Sequence, residues 1–323
     1  MSSVISVLSK IPNILKELQK TLPNIKFHQV EETDKDEEFI KSNIIIADFD
    51  YLAPHIYDLP NVKWIQGTWA GIDALLPHLK PNQPPSFPIT RFSGKHFGHL
   101  IGEYVLANII NHERSMFEIK QNQSKQQWII NGKINDHRSL YDLTIGILGI
   151  GSIGNRVARI LNFMGAEIFG YGRRTEIDMS NYKHISQYFN KDGLFDLLQK
   201  CDYIVNTLPN TADTKGLLNG NVLENCKEKG SVFVNVGRGS IIYEEYLVKA
   251  LEKKWISAAI LDVFDKEPLR SDSPLWKMPN VFISPHVSGT SRARDIAEQF
   301  SENLKLFQQN LPIPTTVDFS VGY

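Results

Sequence analysis

At 323 residues, with 42% hydrophobic and 22% charged residues, the chain is long enough for two packed domains and too apolar for extended disorder. Lys and Arg number 35 against 36 acids, which leaves no basic field for nucleic acid or an anionic membrane, and no apolar run approaches the ~20 residues of a membrane span. Two cysteines, Cys201 and Cys226, offer neither a disulfide framework nor metal-type spacing, so both read as reduced thiols and the cytoplasm is the expected location. In chain order, residues 4–8 suggest a strand and not a leader peptide, 13–22 a helix opened after Pro12, and 25–29 a second strand. The acidic run 31–38 is a solvated loop or a helix start. Short apolar strands follow at 44–47, 62–66 and 89–92, with an irregular Pro-rich stretch over 81–88. Strands alternating with helices imply a parallel sheet. A long helical pattern then runs from near Gly98 to about Ile119. The polar segment after it, with Trp128 and Asn131-Gly132, is either a surface arm or a subunit contact.

Residues 143–148 form an apolar run that ends in Gly149, Gly151 and Gly154, spaced as G-x-G-x-x-G. A helical face carrying Val157, Ile160, Leu161 and Met164 follows, then Gly165 and a strand over 167–171. Strand, glycine turn, helix and strand is the order that a dinucleotide-binding βαβ unit requires. Gly149 permits the tight turn, Gly151 lets the backbone approach a pyrophosphate, and Gly154 lets helix and strand pack closely. The amides of Ser152 and Ile153 then meet phosphate at the helix N-terminus. An NAD site normally places Asp or Glu after the second strand, to hold the adenosine ribose hydroxyls. Here Gly172 stands there, followed by Arg173, Arg174 and Thr175. Two guanidiniums and a hydroxyl suit a 2′-phosphate, so NADP(H) is expected, with NAD(H) possible; the alternative is a solvated basic loop.

Later strands read at 203–207, 232–236, 258–262 and 281–284, and a last helix at 291–309. Ligands of open α/β sheets bind beyond the carboxyl ends of strands. Three such ends carry Arg238, Glu267 and His286. Hydride transfer to a 2-oxo acid needs its carboxylate held, its carbonyl polarised and a proton supplied. Arg238 offers paired N–H donors for the first two tasks. His286 titrates near neutrality and suits a general acid. Glu267, bonded to the other ring nitrogen, would fix the ring and favour its protonated form. No metal is required, and no ligand cluster stands out.

The segments 145–154, 205–211, 235–241, 261–269, 273–276 and 284–289 resemble the D-isomer-specific 2-hydroxyacid dehydrogenases, and the resemblance extends over essentially the whole chain. Within that family the segments 103–107, 208–211 and 273–276, with the ending Val317-Asp318 and Gly322-Tyr323, look most like the glyoxylate/hydroxypyruvate reductase A branch. The resemblance implies an α/β fold of two doubly wound parallel-sheet domains. A Rossmann NADP-binding domain, 99–290, would be inserted into a flavodoxin-like substrate domain of 1–98 and 291–323. It implies that Arg238, Glu267 and His286 are the catalytic trio and that NADPH is the usual reductant. Cofactor contacts would extend to Leu208, Pro209 and Thr214 in one loop, and to Val236, Gly237, Asp262 and Gly289. The loop Thr68-Trp69-Ala70-Gly71-Ile72-Asp73 matches the family's substrate loop. The Ala70 and Gly71 amides would hold the carboxylate, and Trp69 either caps the pocket or packs in the core. A homodimer is implied as well. Alternatives within and outside the enzymes are a reductase of bulkier 2-oxo acids and a non-catalytic NAD(P)-sensing scaffold of corepressor type.

Overall fold

The computed structural model describes residues 4–31, 33, 36–319 and 322. Part of the acidic run, and Val321 and Tyr323 of the ending, lie outside them. The chain forms two compact units, 1–97 with 290–323, and 98–289.

In the first unit, β1 (Ile5–Leu8), α1 (Ile14–Thr21), β2 (Phe27–Gln29), α2 (Glu37–Lys41), β3 (Ile44–Ala47), α3 (Phe49–Leu52), β4 (Trp64–Gly67) and β5 (Ile89–Thr90) alternate along the chain. The five strands are parallel in the order β2-β1-β3-β4-β5, the flavodoxin order. β1, β3 and β4 are buried at every position, because helices cover both faces of a parallel sheet and leave no side for water. The acidic run resolves into a cap, in which the Asp36 carboxylate accepts the Phe39 N–H at 3.0 Å and opens α2.

The single helical pattern expected over 98–119 is two helices, α4 (Lys95–Glu113) and α5 (Met116–Ser124). The apolar spacing continues through the break, but Ser115 takes a φ of 50°, and Met116, Phe117 and Ile119 beyond it are exposed. In the second unit follow β6 (Thr144–Leu148), α6 (Ser152–Phe163), β7 (Glu167–Tyr171), β8 (Gln187–Phe189), α7 (Leu194–Lys200), β9 (Tyr203–Asn206), β10 (Val232–Asn235), α8 (Glu244–Glu252), β11 (Ala258–Leu261) and β12 (Val281–Ile283). Their parallel order is β8-β7-β6-β9-β10-β11-β12, a doubly wound sheet that reverses direction between β6 and β9. On α6, Val157 and Leu161 are buried as the spacing requires, whereas Met164 lies past the last turn and is 44% exposed. Ile160 is instead met by α4, whose Gly102 lies so close that a Cβ there would sit 2.3 Å from the Ile160 side chain.

The helix α9 (Ala293–Gln308) belongs to the first unit. Its Phe300 and Phe307 stack on Trp64 with ring centroids 5.2 and 5.1 Å away, and its Asn303 donates to the buried Gln66 side chain at 2.7 Å.

Candidate active site

The glycine turn between β6 and α6 divides its labour among three positions. Gly149 has a φ of 95°, a left-handed conformation that glycine adopts without steric cost. A Cβ on Gly154 would lie 1.8 Å from the Gly149 carbonyl oxygen, so only hydrogen fits where helix and turn meet. A Cβ on Gly151 would meet nothing within 4 Å. That open face stands at the start of a twelve-residue helix beginning at Ser152, where backbone N–H groups are available to an anion. Thr207 closes the turn from β9 by donating to the Gly149 carbonyl at 2.6 Å.

Beyond β7, the Gly172 N–H donates to Phe189 O at 3.1 Å, and Arg173, Arg174 and Thr175 emerge exposed. The loop after β9 folds on itself, with Thr214 Oγ1 donating to Pro209 O at 2.6 Å and accepting the Thr211 N–H at 2.9 Å. The structure therefore gathers the glycine turn, the arginines and the 208–214 loop at one edge of one sheet.

At the same edge, β10, β11 and β12 are adjacent and deliver Arg238, Glu267 and His286. Gly239 allows the first two loops to touch, since a Cβ there would lie 1.8 Å from the Phe264 carbonyl carbon. Two asparagines missed in the sequence set the backbone beside them. Asn206 and Asn235 pair in register at the ends of β9 and β10, with Asn206 Nδ2 donating to Asn235 Oδ1 at 2.8 Å. Asn235 Nδ2 then donates to Arg238 O at 3.3 Å, and Asn206 Oδ1 accepts the Leu208 N–H at 3.1 Å. Two strands ending in Asn at matched positions was the available signal.

His286 Nδ1 lies 2.8 Å from Glu267 Oε2, and Glu267 Oε1 accepts the Phe264 N–H at 2.9 Å. The bond to Glu267 raises the His286 pKa above the ordinary imidazole value, against partial burial and the nearby Arg238 charge. Burial pushes Glu267 upward, but the bonds from His286 and Phe264, helped by the Arg238 charge, hold its carboxyl below the usual range. His286 itself has a φ of 54°. Its N–H donates to Asp262 O at 2.9 Å, and the next two amides, of Val287 and Ser288, donate to the Asp262 carboxylate at 2.9 and 2.8 Å. Ser284 Oγ also donates to that carboxylate and is bonded to the Tyr104 hydroxyl of α4 at 2.6 Å. Asp262, completely buried, thus acts as the anchor of the His286 loop. Val236 and Gly237 are buried at the start of the Arg238 loop, and Gly289 closes the second unit.

In the first unit, the 68–73 loop follows β4. The Thr68 hydroxyl donates to Asp48 at 2.6 Å, Phe92 N donates to Trp69 O at 2.9 Å, and Ser291 Oγ donates to Thr68 O at 2.6 Å. Trp69, Ala70 and Gly71 are half-buried, and the Ala70 and Gly71 amides donate to no other described residue. The fold also brings together a group that the sequence did not reveal, His96, Asp295 and Glu298, with ligand-type atoms within 4.8 Å of one another. Arg292 Nε lies 2.5 Å from Asp295, and Arg294 Nε lies 3.7 Å from both acids, so the carboxylates are already met by guanidiniums.

Among solved structures, the chain is similar to a D-isomer specific 2-hydroxyacid dehydrogenase from Xanthobacter autotrophicus Py2 in complex with NADPH and MES, at a TM-score of 0.85 and 26% identity over 100% of both chains. It is similar to a family protein from Aeromonas salmonicida subsp. salmonicida A449, at a TM-score of 0.83 and 29% identity over 99% of this chain and 100% of that one. It is similar also to the NADPH-dependent glyoxylate/hydroxypyruvate reductase of Sinorhizobium meliloti in complex with NADP and sulfate, at a TM-score of 0.81 and 26% identity over 99% of this chain and 100% of that one. Residues 106–288, more than half of the chain, match the NAD binding domain of the same family. The chain belongs to the D-isomer specific 2-hydroxyacid dehydrogenases.

Proposed function

We propose that the protein is an NADPH-dependent reductase of small 2-oxo acids of the glyoxylate and hydroxypyruvate type, yielding D-2-hydroxy acids. The observation that carries this reading is the His286–Glu267 bond of 2.8 Å beside Arg238, on the strand ends next to the glycine turn. A reduced nicotinamide bound along that edge supplies the hydride. The Arg238 guanidinium pairs with the substrate carboxylate and draws charge toward the carbonyl oxygen. As that oxygen gains negative charge, His286 Nε2 delivers a proton to it, while Nδ1 stays on Glu267. Glu267 favours the imidazolium before transfer and fixes the ring during it. In the oxidative direction the neutral ring takes the proton back. We assign Asp262 to the cofactor side through the loop it anchors.

The NADP(H) preference rests on Gly172 in place of an acid and on the exposed Arg173, Arg174 and Thr175 after it. NAD(H) remains usable, because the pyrophosphate cradle does not depend on those residues. We also read the segment around α5 as the contact of a homodimer. Trp128 is 95% exposed there, together with Phe117 and Ile130, an apolar surface that water does not favour. A cytoplasmic location accords with Cys201 and Cys226, both buried as free thiols.

The test is NADPH oxidation followed by absorbance, with glyoxylate, hydroxypyruvate, pyruvate and branched or aromatic 2-oxo acids side by side. Glyoxylate and hydroxypyruvate are expected to give the highest kcat/KM. Greatest turnover of the bulky acids would replace the substrate assignment, and no turnover of any would favour the sensing scaffold.

A further inference from the structure

The loops that leave β8 and β9 meet, beside the loop that leaves β7, in an ion pair that the hydride-transfer chemistry does not use. β8 lies beside β7, and Gly172 N bonds to Phe189 O, so Arg173 and Lys191 leave neighbouring strand ends within two residues of that bond. Tyr188 of β8 also donates its hydroxyl to Arg174 O at 2.8 Å, tying the arginine loop to this strand. The Asn190 side chain accepts the Asp192 N–H at 3.1 Å and sets the turn that presents Lys191. Lys191 Nζ then donates to Asp213 Oδ2 at 2.7 Å. Asp213 comes from the loop after β9, on the opposite side of β6 and β7 in the sheet order. Its carboxyl is held below the usual range chiefly by the bond from Lys191, with the Arg173 charge adding to it, and its own charge adds to the burial that raises the Tyr171 pKa at the end of β7. The pair therefore joins the two loops flanking the glycine turn and the arginine loop, where the adenosine end of a dinucleotide lies in a sheet of this order.

We propose that Lys191 is a third cation for the adenosine 2′-phosphate, held in reserve by Asp213, and that this pair sets the discrimination between NADP and NAD. The inference rests on the reading that Arg173 and Arg174 receive that phosphate. Lys191 and Asp213 are 54% and 65% exposed, and an ion pair so solvated holds its partners weakly. A phosphate monoester carries close to two charges and three acceptor oxygens, which makes it a stronger partner for an ammonium than one solvated carboxylate. Lys191 can exchange Asp213 for the phosphate by rotating its own side chain. Without the phosphate, Asp213 keeps the cation occupied, so an unphosphorylated ribose gains nothing from it. The carboxylate also faces the incoming phosphate with like charge, which makes it a brake on NADP binding.

Calorimetric titration of NADP⁺ and NAD⁺ into the wild-type protein and three variants tests this. Lys191→Ala is expected to weaken NADP⁺ by roughly tenfold, the loss of one charge-assisted contact, and to leave NAD⁺ within about twofold. Asp213→Asn is expected to tighten NADP⁺ and leave NAD⁺ unchanged. Unaltered NADP⁺ affinity in Lys191→Ala, or an equal loss for both nucleotides, overturns the assignment of Lys191. Weaker NADP⁺ binding in Asp213→Asn overturns the reserve role of Asp213. The third variant, Arg173→Ala with Arg174→Ala, isolates the underlying reading. If it binds NADP⁺ as tightly as the wild type, the arginine reading fails whatever Lys191 does; if it loses NADP⁺ selectively while Lys191→Ala does not, only the present inference fails.

Discussion

His286 sits at a φ of 54°, a region that few side chains adopt, and Asp262 holds it there through three consecutive amides. The carboxylate that orients the ring and the carboxylate that anchors its backbone are thus different residues. This separation gives a pH prediction. Glu267 raises the His286 pKa, so the protonated ring that reduction requires is present below that raised value and is lost as pH climbs through it. In Glu267→Gln the alkaline limb of kcat/KM for 2-oxo acid reduction should move to lower pH, toward the ordinary imidazole range. A limb that stays in place would detach Glu267 from the titration. Arg238, Glu267 and His286 were legible in the sequence because each follows an apolar strand and carries a distinct chemistry. Ser284 and Tyr104 were not, since hydroxyls distant in sequence reveal a shared partner only when the chain is folded.

Among the elements, the glycine turn was the most legible, because its spacing reflects contacts made within a few residues. Gly154 meets the Gly149 carbonyl, a local clash that any occupant of this βαβ unit must avoid. Gly154→Ala should therefore force the turn and α6 apart. The expected cost is about 1–3 kcal/mol of stability, as in an overpacked core, with a loss of NADP⁺ affinity in the same variant. Full affinity in a stably folded Gly154→Ala protein would contradict the cradle. β8 escaped the sequence reading because it has three residues at a sheet edge, too few for a period to register. The break between α4 and α5 escaped for the opposite reason, an apolar pattern that persists through Ser115 although the chain has turned. In that pattern the exposed side chains of α5 and the buried ones of α4 look alike.

Across the whole molecule, parallel sheets were readable from the alternation of strands and helices, whereas the assignment of the last helix to the N-terminal part came only with the family resemblance. What ties distant elements together was not readable. Glu113 at the end of α4 is 1% exposed and receives Arg138 through two bonds of 2.8 and 3.1 Å and the Tyr203 hydroxyl at 2.6 Å. Arg138 continues to Asp202 at 2.8 Å, joining α4, the polar segment before β6 and the start of β9. Burial pushes Glu113 upward, but Arg138 and Tyr203 hold its pKa below the usual carboxylate value. Its contribution to stability is therefore present above the ordinary carboxylate range and is lost as pH falls through the lowered value. Arg138→Ala would leave that buried charge with the Tyr203 hydroxyl and the more distant Lys133 charge, and denaturant unfolding should show a loss of about 1.5–3 kcal/mol, the scale of hydrogen bonds to a charged group. A loss below about 1 kcal/mol, the size of a surface pair, would mean that the network is not a structural anchor.

On the proposed reading, this edge of the second unit transfers a proton through His286 while the glycine turn holds the nucleotide. The direct measurement is His286→Ala, with glyoxylate and NADPH turnover and NADP⁺ titration on the same preparation. Turnover should fall by roughly 10² or more, the scale of general acid catalysis, with NADP⁺ affinity nearly intact. Turnover equal to that of the wild type would contradict the account.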